Sequence, residues 1–144
     1  MIGLILHVAV ASTLVHFQSP SGNINCIGGP AYQGSPAFVQ CLVKQHSWPK
    51  SITPRRPARC DLDYDPYTIS LGNRRVSVGS CRGDIGPLCV QATADKCSTL
   101  AYGRSVGIGP FLCQSLKAGV ECRYRTGSKA GFRIARETYI LYRS

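Results

Sequence analysis

The chain has few of the residues on which hydrolytic enzymes depend. It carries three histidines and seven acidic residues among 144 positions, and no histidine follows His46. The G-x-S-x-G match at Gly103–Gly107 therefore lacks a later histidine to take the serine proton, as a nucleophile elbow requires. The seven carboxylates single out no pair for glycoside hydrolysis. We expect a protein that is not an enzyme and has no catalytic residues.

Close-set metal ligands are also missing. A structural zinc site needs donor pairs such as C-x-x-C or H-x-x-x-H, whereas the nearest cysteines are eight positions apart. The acidic run Asp61–Asp65 begins like an EF-hand, but Pro66 and Gly72 stand where that loop needs Gly and Glu. We expect no metal and no cofactor, and we expect the aspartates to pair with Arg55, Arg56 or Arg59. A looser calcium site is the alternative.

No apolar run reaches the roughly 20 residues that span a bilayer, so no transmembrane anchor is expected. Residues 1–15 are almost wholly apolar, and Ala9-Val10-Ala11 offers a small-x-small cleavage site. The sequence predicts a signal peptide at residues 1–11 and a single disulfide-rich domain at residues 12–144, secreted or held at the cell envelope. The predicted signal peptide is short, and no Lys or Arg precedes its apolar run. Both features are those of a truncated signal. A buried first strand is the alternative.

Helical periodicity is absent from every long segment. Short β-type runs instead alternate with Gly, Pro, Asn and Ser at intervals of about 8 to 15 residues. This pattern predicts an all-β fold, a small antiparallel sandwich or barrel of hairpins. The clearest hairpin has a two-residue turn at Gly72-Asn73, which would set Ile69 opposite Val76. The alternate side chains would then face water: Thr68, Ser70, Arg75 and Ser77.

Cysteine is abundant, with eight residues in all, a density typical of disulfide-stapled proteins from oxidising compartments. Cys113 and Cys122 lie symmetrically about the loop Leu116–Gly119, so a hairpin sets them directly opposite and within bridging distance. Cys26 and Cys41 flank a loop rich in Gly and Pro in the same way. The sequence therefore predicts disulfides 113–122 and 26–41.

Spacing alone does not decide how the remaining four cysteines pair. A helix between Cys89 and Cys97 would hold them about 12 Å apart, so a bridge and a continuous helix exclude each other. The Gly72-Asn73 register sets Tyr64, not Cys60, opposite Cys81. A bridge from Cys60 to Cys81 therefore needs a bend near Asp65-Pro66.

Seventeen Lys and Arg residues give the chain a formal net charge of +10. For an exported protein the available polyanions are envelope polymers, anionic lipids and acidic proteins, and nucleic acid is disfavoured. The best candidate ligand surface is a proline-stiffened segment before Cys60 that carries one aromatic and four cations: Trp48, Lys50, Arg55, Arg56 and Arg59. Stiffening lowers the entropy cost of binding. An ordinary connector is the alternative.

These observations predict a secreted, non-enzymatic binding or structural module of the cell envelope that contacts an anionic ligand. One alternative is a protease inhibitor that presents a rigid loop near Arg55-Arg56, although Pro57 disfavours it. Another is a small hydrolase, which would need His46 beside a nucleophile, or paired carboxylates, in a cleft.

Three stretches carry a resemblance to a known family: Phe17–Cys26 (FQSPSGNINC), Cys60–Tyr64 (CDLDY) and Tyr102–Cys122, which closes on F-x-C-x-S-x-x-x-G-V-x-C. From Phe17 to about Tyr142 the chain resembles small secreted actinobacterial domains of unknown function. The resemblance implies export and three disulfides, 26–41, 60–81 and 113–122. This chain departs from that pattern at Cys89 and Cys97, which we interpret as an added fourth bridge.

Overall fold

The computed structural model describes residues 14–89 and 97–143. The predicted signal peptide and the stretch between Cys89 and Cys97 lie outside the described residues. The described residues contain eleven strands: β1 (Val15–Gln18), β2 (Ile24–Gly29), β3 (Phe38–Val43), β4 (Asp63–Gly72), β5 (Arg75–Arg82), β6 (Ser98–Thr99), β7 (Ser105–Ile108), β8 (Phe111–Leu116), β9 (Gly119–Tyr124), β10 (Gly131–Ile134) and β11 (Tyr139–Tyr142). Within the same residues, no helix is long and apolar enough to cross a membrane.

The strands form two sheets that pack face to face. The first has the order β5-β4-β3-β2-β1-β6 and is antiparallel except for the short β1–β6 pair. The second is the antiparallel meander β11-β10-β9-β8-β7. Strand β10 contacts β3, β4 and β5 across the interface. The all-β prediction is confirmed, and of its two architectures the structure is the sandwich, because neither sheet closes on itself.

Side chains that alternate along each strand build the core between the sheets. In β8, Phe111, Cys113 and Ser115 are buried, whereas Leu112 between them is exposed. Phe17, Phe111 and Phe132 are among the largest fully buried side chains. Burial of each such side chain contributes about 1.5 to 3 kcal/mol. The hydrophobic period of two therefore determines which face of each strand enters the core.

Two disulfides meet at the centre of this core. Cys26 pairs directly with Cys41, and Cys113 with Cys122, each across neighbouring antiparallel strands with a Cα–Cα distance of 4.1 Å. All four residues are fully buried. The Sγ atoms of Cys41 and Cys122 lie 3.9 Å apart, so one bridge from each sheet packs against the other.

The other two disulfides lie toward the edges of the sandwich. They join Cys60 to Cys81 and Cys89 to Cys97, both with Cα–Cα distances of 5.7 Å. With the two central bridges, these are the same four pairs as expected from the sequence.

The strand that follows Cys60, β4, has an irregularity near the Cys60–Cys81 bridge. The pairing of β4 with β5 shifts between Asp65 and Ile69, and Tyr64 lies opposite Cys81. Pro66 has no N–H to donate, and the Asp65 carboxylate instead accepts a hydrogen bond of 2.8 Å from the backbone N–H of Tyr67. The bend required near Asp65-Pro66 is therefore present.

The predicted turn between β4 and β5 is wrong by one residue. The turn residues are Asn73 and Arg74, both with positive φ (50° and 58°), as a type I′ hairpin turn requires. Gly72 stays in β4, and Ile69 lies opposite Val78. This register pairs Leu71 with Val76, whereas the predicted one would set Leu71 against Arg74. Apolar pairing explains the difference.

Thr68 does not face water as predicted but is fully buried. Its hydroxyl donates to the Asp65 carboxylate at 2.9 Å and accepts from the Arg82 guanidinium at 3.1 Å. Arg82 also forms an ion pair with Asp65 at 2.8 Å. The predicted pairing of Asp65 with the arginines before Cys60 is therefore wrong, because the hairpin brings Arg82 alongside instead.

Of the residues that follow β5, Pro87 and Cys89 lie against the outer face of the first sheet. The backbone N–H of Cys89 donates to the Asn25 side chain at 2.9 Å, and the carbonyl of Pro87 lies 2.7 Å from the His16 ring. Asn25, His16 and Leu42 on this face are all buried. The first sheet is thus covered on both faces.

Candidate functional site: a basic groove at one end of the sandwich

A groove of about 500 Å³ lies where turns from both sheets meet at one end of the sandwich. The first sheet contributes its β1–β2 turn and the residues after β3. The second sheet contributes its β8–β9 and β10–β11 turns, and a loop before β7 completes the wall. The lining residues are Ser19, Ser21, Asn23, Ile24, Lys44, Gln45, Tyr102, Leu116, Lys117, Ala118, Gly119, Ala135, Arg136 and Glu137.

Asn23 holds the first-sheet side of the groove together. Its side-chain amide donates to the carbonyl of Gln45 at 2.9 Å, and its side-chain oxygen accepts from the Gln45 N–H at 2.7 Å. Its backbone carbonyl also accepts from the Lys44 N–H at 2.9 Å. The β1–β2 turn and the end of β3 therefore form one wall, with the Asn23 amide committed to the scaffold.

Trp48, predicted as part of a ligand surface, is buried and supports the opposite wall of the groove. The side chain is only 7% exposed, and its indole N–H donates to the carbonyl of Ala135 at 2.9 Å. The ring packs against Tyr67 and Tyr139, with centroid distances of 5.3 and 4.7 Å. A buried indole needs an acceptor for its N–H, and here that acceptor belongs to the β10–β11 turn.

The four cations predicted with Trp48 lie on the β3–β4 connection. Lys50, Arg55, Arg56 and Arg59 are all exposed, and none of them lines the groove. The Arg56 guanidinium donates to the carbonyls of Cys60 and Leu62 at 2.7 and 3.1 Å. The connection thus carries three exposed cations and a fourth, Arg56, that is bound to backbone carbonyls.

The groove concentrates positive charge. Lys44, Lys117 and Arg136 enter it from three different turns, and within residues 14–89 and 97–143 none of them has an ion-pair or side-chain hydrogen-bond partner. Glu137 is the one carboxylate among the described lining residues. Because these cations are not neutralised internally, the groove favours a negatively charged ligand.

Neutral polar groups complete the lining. The Ser19 hydroxyl accepts from the Ile24 N–H at 3.0 Å, and the Ser21 hydroxyl accepts from the Asn23 N–H at 3.2 Å. The two hydroxyl oxygens lie 3.5 Å apart, so at most one O–H is used between them and one remains available to a ligand. Tyr102 is 50% exposed and offers an aromatic face at the rim.

Sequence reasoning missed this groove because its cations are far apart in the chain. Lys44, Lys117 and Arg136 lie in separate turns, and each is an unremarkable polar residue of a hairpin end. Alternate turns of an antiparallel meander emerge at the same end of a sheet. That rule places Lys117 near Arg136, but only the packing of the two sheets adds Lys44.

A second charged cluster surrounds Glu121 on the outer face of the second sheet. Its carboxylate accepts from the Tyr142 hydroxyl at 2.6 Å and from Arg123 at 3.2 Å, and Arg133 lies 3.6 Å away. Arg123 also stacks 3.5 Å above the Tyr142 ring. Burial alone would raise the pKa of Glu121, but these hydrogen bonds and positive charges together lower it. This cluster ties β9, β10 and β11 together.

Because the Glu121 pKa is lower in the folded chain than in the unfolded chain, ionised Glu121 stabilises the fold above the unfolded value of about 4.3. That stabilisation is lost as the pH falls through the folded pKa. We expect Glu121→Gln to lower the free energy of unfolding by about 1 kcal/mol at pH 7 and by much less at pH 3. Urea unfolding at both pH values measures this.

The matched control is Glu137→Gln, since Glu137 is exposed and without a partner among the described residues. It should leave stability unchanged at both pH values. An equal loss at pH 7 and pH 3 for Glu121→Gln would contradict the electrostatic account.

Comparison with known proteins places the chain in a family but assigns no activity. A model of the family of unknown function DUF6636 matches residues 1–142. No curated protein and no solved structure matches the chain. The match covers every described strand, both central disulfides and the whole groove. The chain therefore belongs to DUF6636, a family of unknown function.

Proposed function

We propose that this protein is an exported binding module that holds an anionic polymer of the cell envelope in its basic groove. The observation that carries the proposal is the convergence of Lys44, Lys117 and Arg136, from turns of both sheets, on one cavity, where none of them has a side-chain partner among the residues that the structure describes. Cations distributed only for solubility have no reason to line a shared concavity. Their arrangement favours recognition of a ligand over general charge.

The lining favours an anion that also carries hydroxyl groups. Lysine and arginine suit carboxylate or phosphate oxygens, whereas Glu137 and the seryl hydroxyls suit sugar or polyol hydroxyls. The exposed face of Tyr102 can stack on a pyranose ring. A volume of about 500 Å³ falls in the range of about 300 to 1,000 Å³ typical of small-molecule sites. A short stretch of a carboxylated or phosphorylated glycan fits these features.

Export is supported by the disulfide complement. All eight cysteines are bridged, and such bridges persist in oxidising compartments rather than in the cytosol. An envelope polymer would be accessible to the protein there. Export therefore forms part of the proposal.

The two alternative functions have less support. In a protease inhibitor the recognition arginine must project from the loop. The Arg56 guanidinium is bound to the carbonyls of Cys60 and Leu62, which leaves the exposed Arg55 as the candidate. For a hydrolase, Ser105 begins strand β7, and no helix follows it in the described part of the chain. The strand-turn-helix context of a nucleophile elbow is therefore missing there.

The test compares two triple variants that each lose three positive charges. The groove variant is Lys44→Ala/Lys117→Ala/Arg136→Ala, and the control is Lys50→Ala/Arg55→Ala/Arg59→Ala on the β3–β4 connection. Binding of polygalacturonate and of poly(glycerol phosphate) is measured by calorimetry at low and moderate salt. We expect the groove variant to weaken binding of one polymer by about 10- to 100-fold and the control to weaken it less than about threefold.

Each outcome decides between the candidates. Equal weakening by both variants would show diffuse attraction to the net charge and would overturn the assignment of the groove as the binding site. Weakening by the control alone would move the site to the β3–β4 connection. Binding of the wild type to anionic vesicles, with no binding to either polymer, would overturn the proposal of a polymer ligand and indicate a lipid instead. Retained unfolding transitions in both variants would exclude misfolding as the cause.

A further inference from the structure

The outer face of the second sheet is open, whereas the outer face of the first sheet is covered. On the first sheet, His16 and Asn25 are buried and hydrogen-bonded to residues that follow β5. On the second sheet, Leu112 and Ile140 point outward, and each side chain is 44% exposed. The second sheet therefore leaves aliphatic side chains in contact with water on a face that could be buried.

This open face mixes aliphatic side chains with arginines. Leu112 of β8 lies opposite Arg123 of β9 and, on its other side, opposite Gly107 of β7. The Arg125 guanidinium covers Gly107, since an added Cβ atom there would collide with it. Leu112 is therefore an exposed aliphatic side chain with an arginine on each side.

The neighbouring row of the sheet repeats this mixture. Arg133 of β10 lies opposite Ile140 of β11. The Glu121 carboxylate lies 3.2 Å from Arg123 and 3.6 Å from Arg133, and it is the one carboxylate among the described residues of this face, so the face stays positively charged. We call this surface the arginine face, and its residues are Leu112, Arg123, Arg125, Arg133, Ile140 and Tyr142.

Two of the arginines are held in place by the fold. The Arg123 guanidinium stacks 3.5 Å above the Tyr142 ring, and its stem crosses Gly131, where an added Cβ atom would meet Arg123 Cγ at 2.8 Å. Arg125 Nε donates to the Phe111 carbonyl at 3.1 Å. Each guanidinium carries more N–H donors than these contacts use, and such donors suit carboxylates. Ordering long side chains in advance lowers the entropy cost of binding.

We propose that the arginine face docks a protein partner whose contact surface carries acidic side chains beside apolar ones. Charge complementarity favours the acidic groups, because they would pair with arginines that a single carboxylate does not neutralise. Leu112 and Ile140 favour a protein, since aliphatic side chains gain from apolar contacts that a hydrophilic polymer does not offer. Arginine and tyrosine are also residue types that often dominate the binding energy of protein interfaces.

A second copy of this chain fits the arginine face less well. Two such faces related by a two-fold axis would bring like charges together, and the net charge of +10 adds to the repulsion. The arginine face is also separate from the basic groove, because none of its residues lines the groove. The docking surface therefore does not depend on the function proposed for the groove.

The experiment selects ligands from a library of random short peptides displayed on phage, which stand in for the contact segment of the partner. We expect the enriched peptides to combine Asp or Glu with Leu, Ile or Phe. Calorimetry then measures their affinity. Arg123→Gln/Arg125→Gln should weaken binding about 10- to 100-fold, and Leu112→Ser about threefold or more. A selection that enriches no peptide dependent on the arginine face would overturn the proposal.

Matched variants separate this face from general attraction to positive charge. Arg55→Gln/Arg59→Gln removes two exposed arginines of the β3–β4 connection and should leave peptide binding within about twofold of the wild type. The groove variant Lys44→Ala/Lys117→Ala/Arg136→Ala should also retain peptide binding. Equal losses in the Arg55/Arg59 control, or loss in the groove variant alone, would contradict binding at the arginine face.

Measurements that leave the arginine face intact do not depend on the folding of its variants. An enriched peptide that carries a photo-crosslinking group should attach to β8, β9 or β11 of the wild type, as mass spectrometry of the digested product shows, and attachment elsewhere would overturn the proposal. Displacement of the peptide from the groove variant by polygalacturonate would overturn the protein partner in favour of a polymer. Sedimentation of the wild type should show a monomer, and self-association that Leu112→Ser abolishes would instead indicate a second copy.

Discussion

Replacing Cys26 and Cys41 together by alanine is expected to lower the free energy of unfolding by about 4 kcal/mol. Opening this loop, with a sequence separation of 15, costs about 3 kcal/mol in chain entropy on the usual model. The remainder comes from packing, because both residues are fully buried and Cys41 lies against Cys122. The single tryptophan, Trp48, is buried, so its fluorescence during urea unfolding measures the loss.

The control is the double variant Cys60→Ala/Cys81→Ala. Its bridge has the longer sequence separation, 21, so chain entropy alone predicts a slightly larger loss for it, about 3.3 kcal/mol. Cys81 is exposed and only Cys60 is buried, so less packing energy is lost with this bridge than with the central one, whose two cysteines are fully buried. The packing account predicts that the central bridge costs more. A larger loss from the peripheral bridge would contradict it.

Gly28→Ala is expected to destabilise the protein by about 3 kcal/mol through overpacking. Gly28 lies in β2, and a Cβ atom there would meet the carbonyl oxygen of Phe38 at 2.5 Å and the Ile108 side chain at 2.9 Å. The first is backbone of the neighbouring strand, and the second comes from the opposite sheet. Neither can retreat without separating strands or sheets. Chemical unfolding, again followed through Trp48, measures the effect.

Gly83→Ala is the matched control because an added Cβ there would meet only the Leu62 side chain at 3.7 Å. Gly83 is exposed and lies just after β5. Loss of backbone freedom in the unfolded chain should make this variant neutral or more stable by up to about 1 kcal/mol. If both variants changed the free energy of unfolding alike, the inference that the two sheets approach closely at Gly28 would be wrong.

The all-β fold and the central disulfides could be predicted because their causes are local. A hairpin register follows from the turn and the two-residue period, so Cys113 lies opposite Cys122 once the chain turns between them. The prediction of the β4–β5 turn failed because two neighbouring residue pairs, Gly72-Asn73 and Asn73-Arg74, can both form a two-residue turn. Pairing of Leu71 with Val76 decided between them.

Burial of one member of the predicted ligand surface could not be foreseen, for a different reason. Trp48 and the four cations after it are close in sequence, which made them a plausible surface. Burial of the indole against Tyr67 and Tyr139 stabilises the fold more than exposure of the ring would, since the N–H also donates to the Ala135 carbonyl. Proximity along the chain therefore did not show that Trp48 is buried while the cations that follow it are exposed.

By itself the sequence determined that this chain is a disulfide-stapled β-protein with excess positive charge, because alternation, turn chemistry, cysteine spacing and charge are all readable one segment at a time. Only the tertiary structure decided which distant residues come together. Lys44 joins Lys117 and Arg136 through the packing of the two sheets. Such contacts depend on the burial of the whole core, which no single segment encodes.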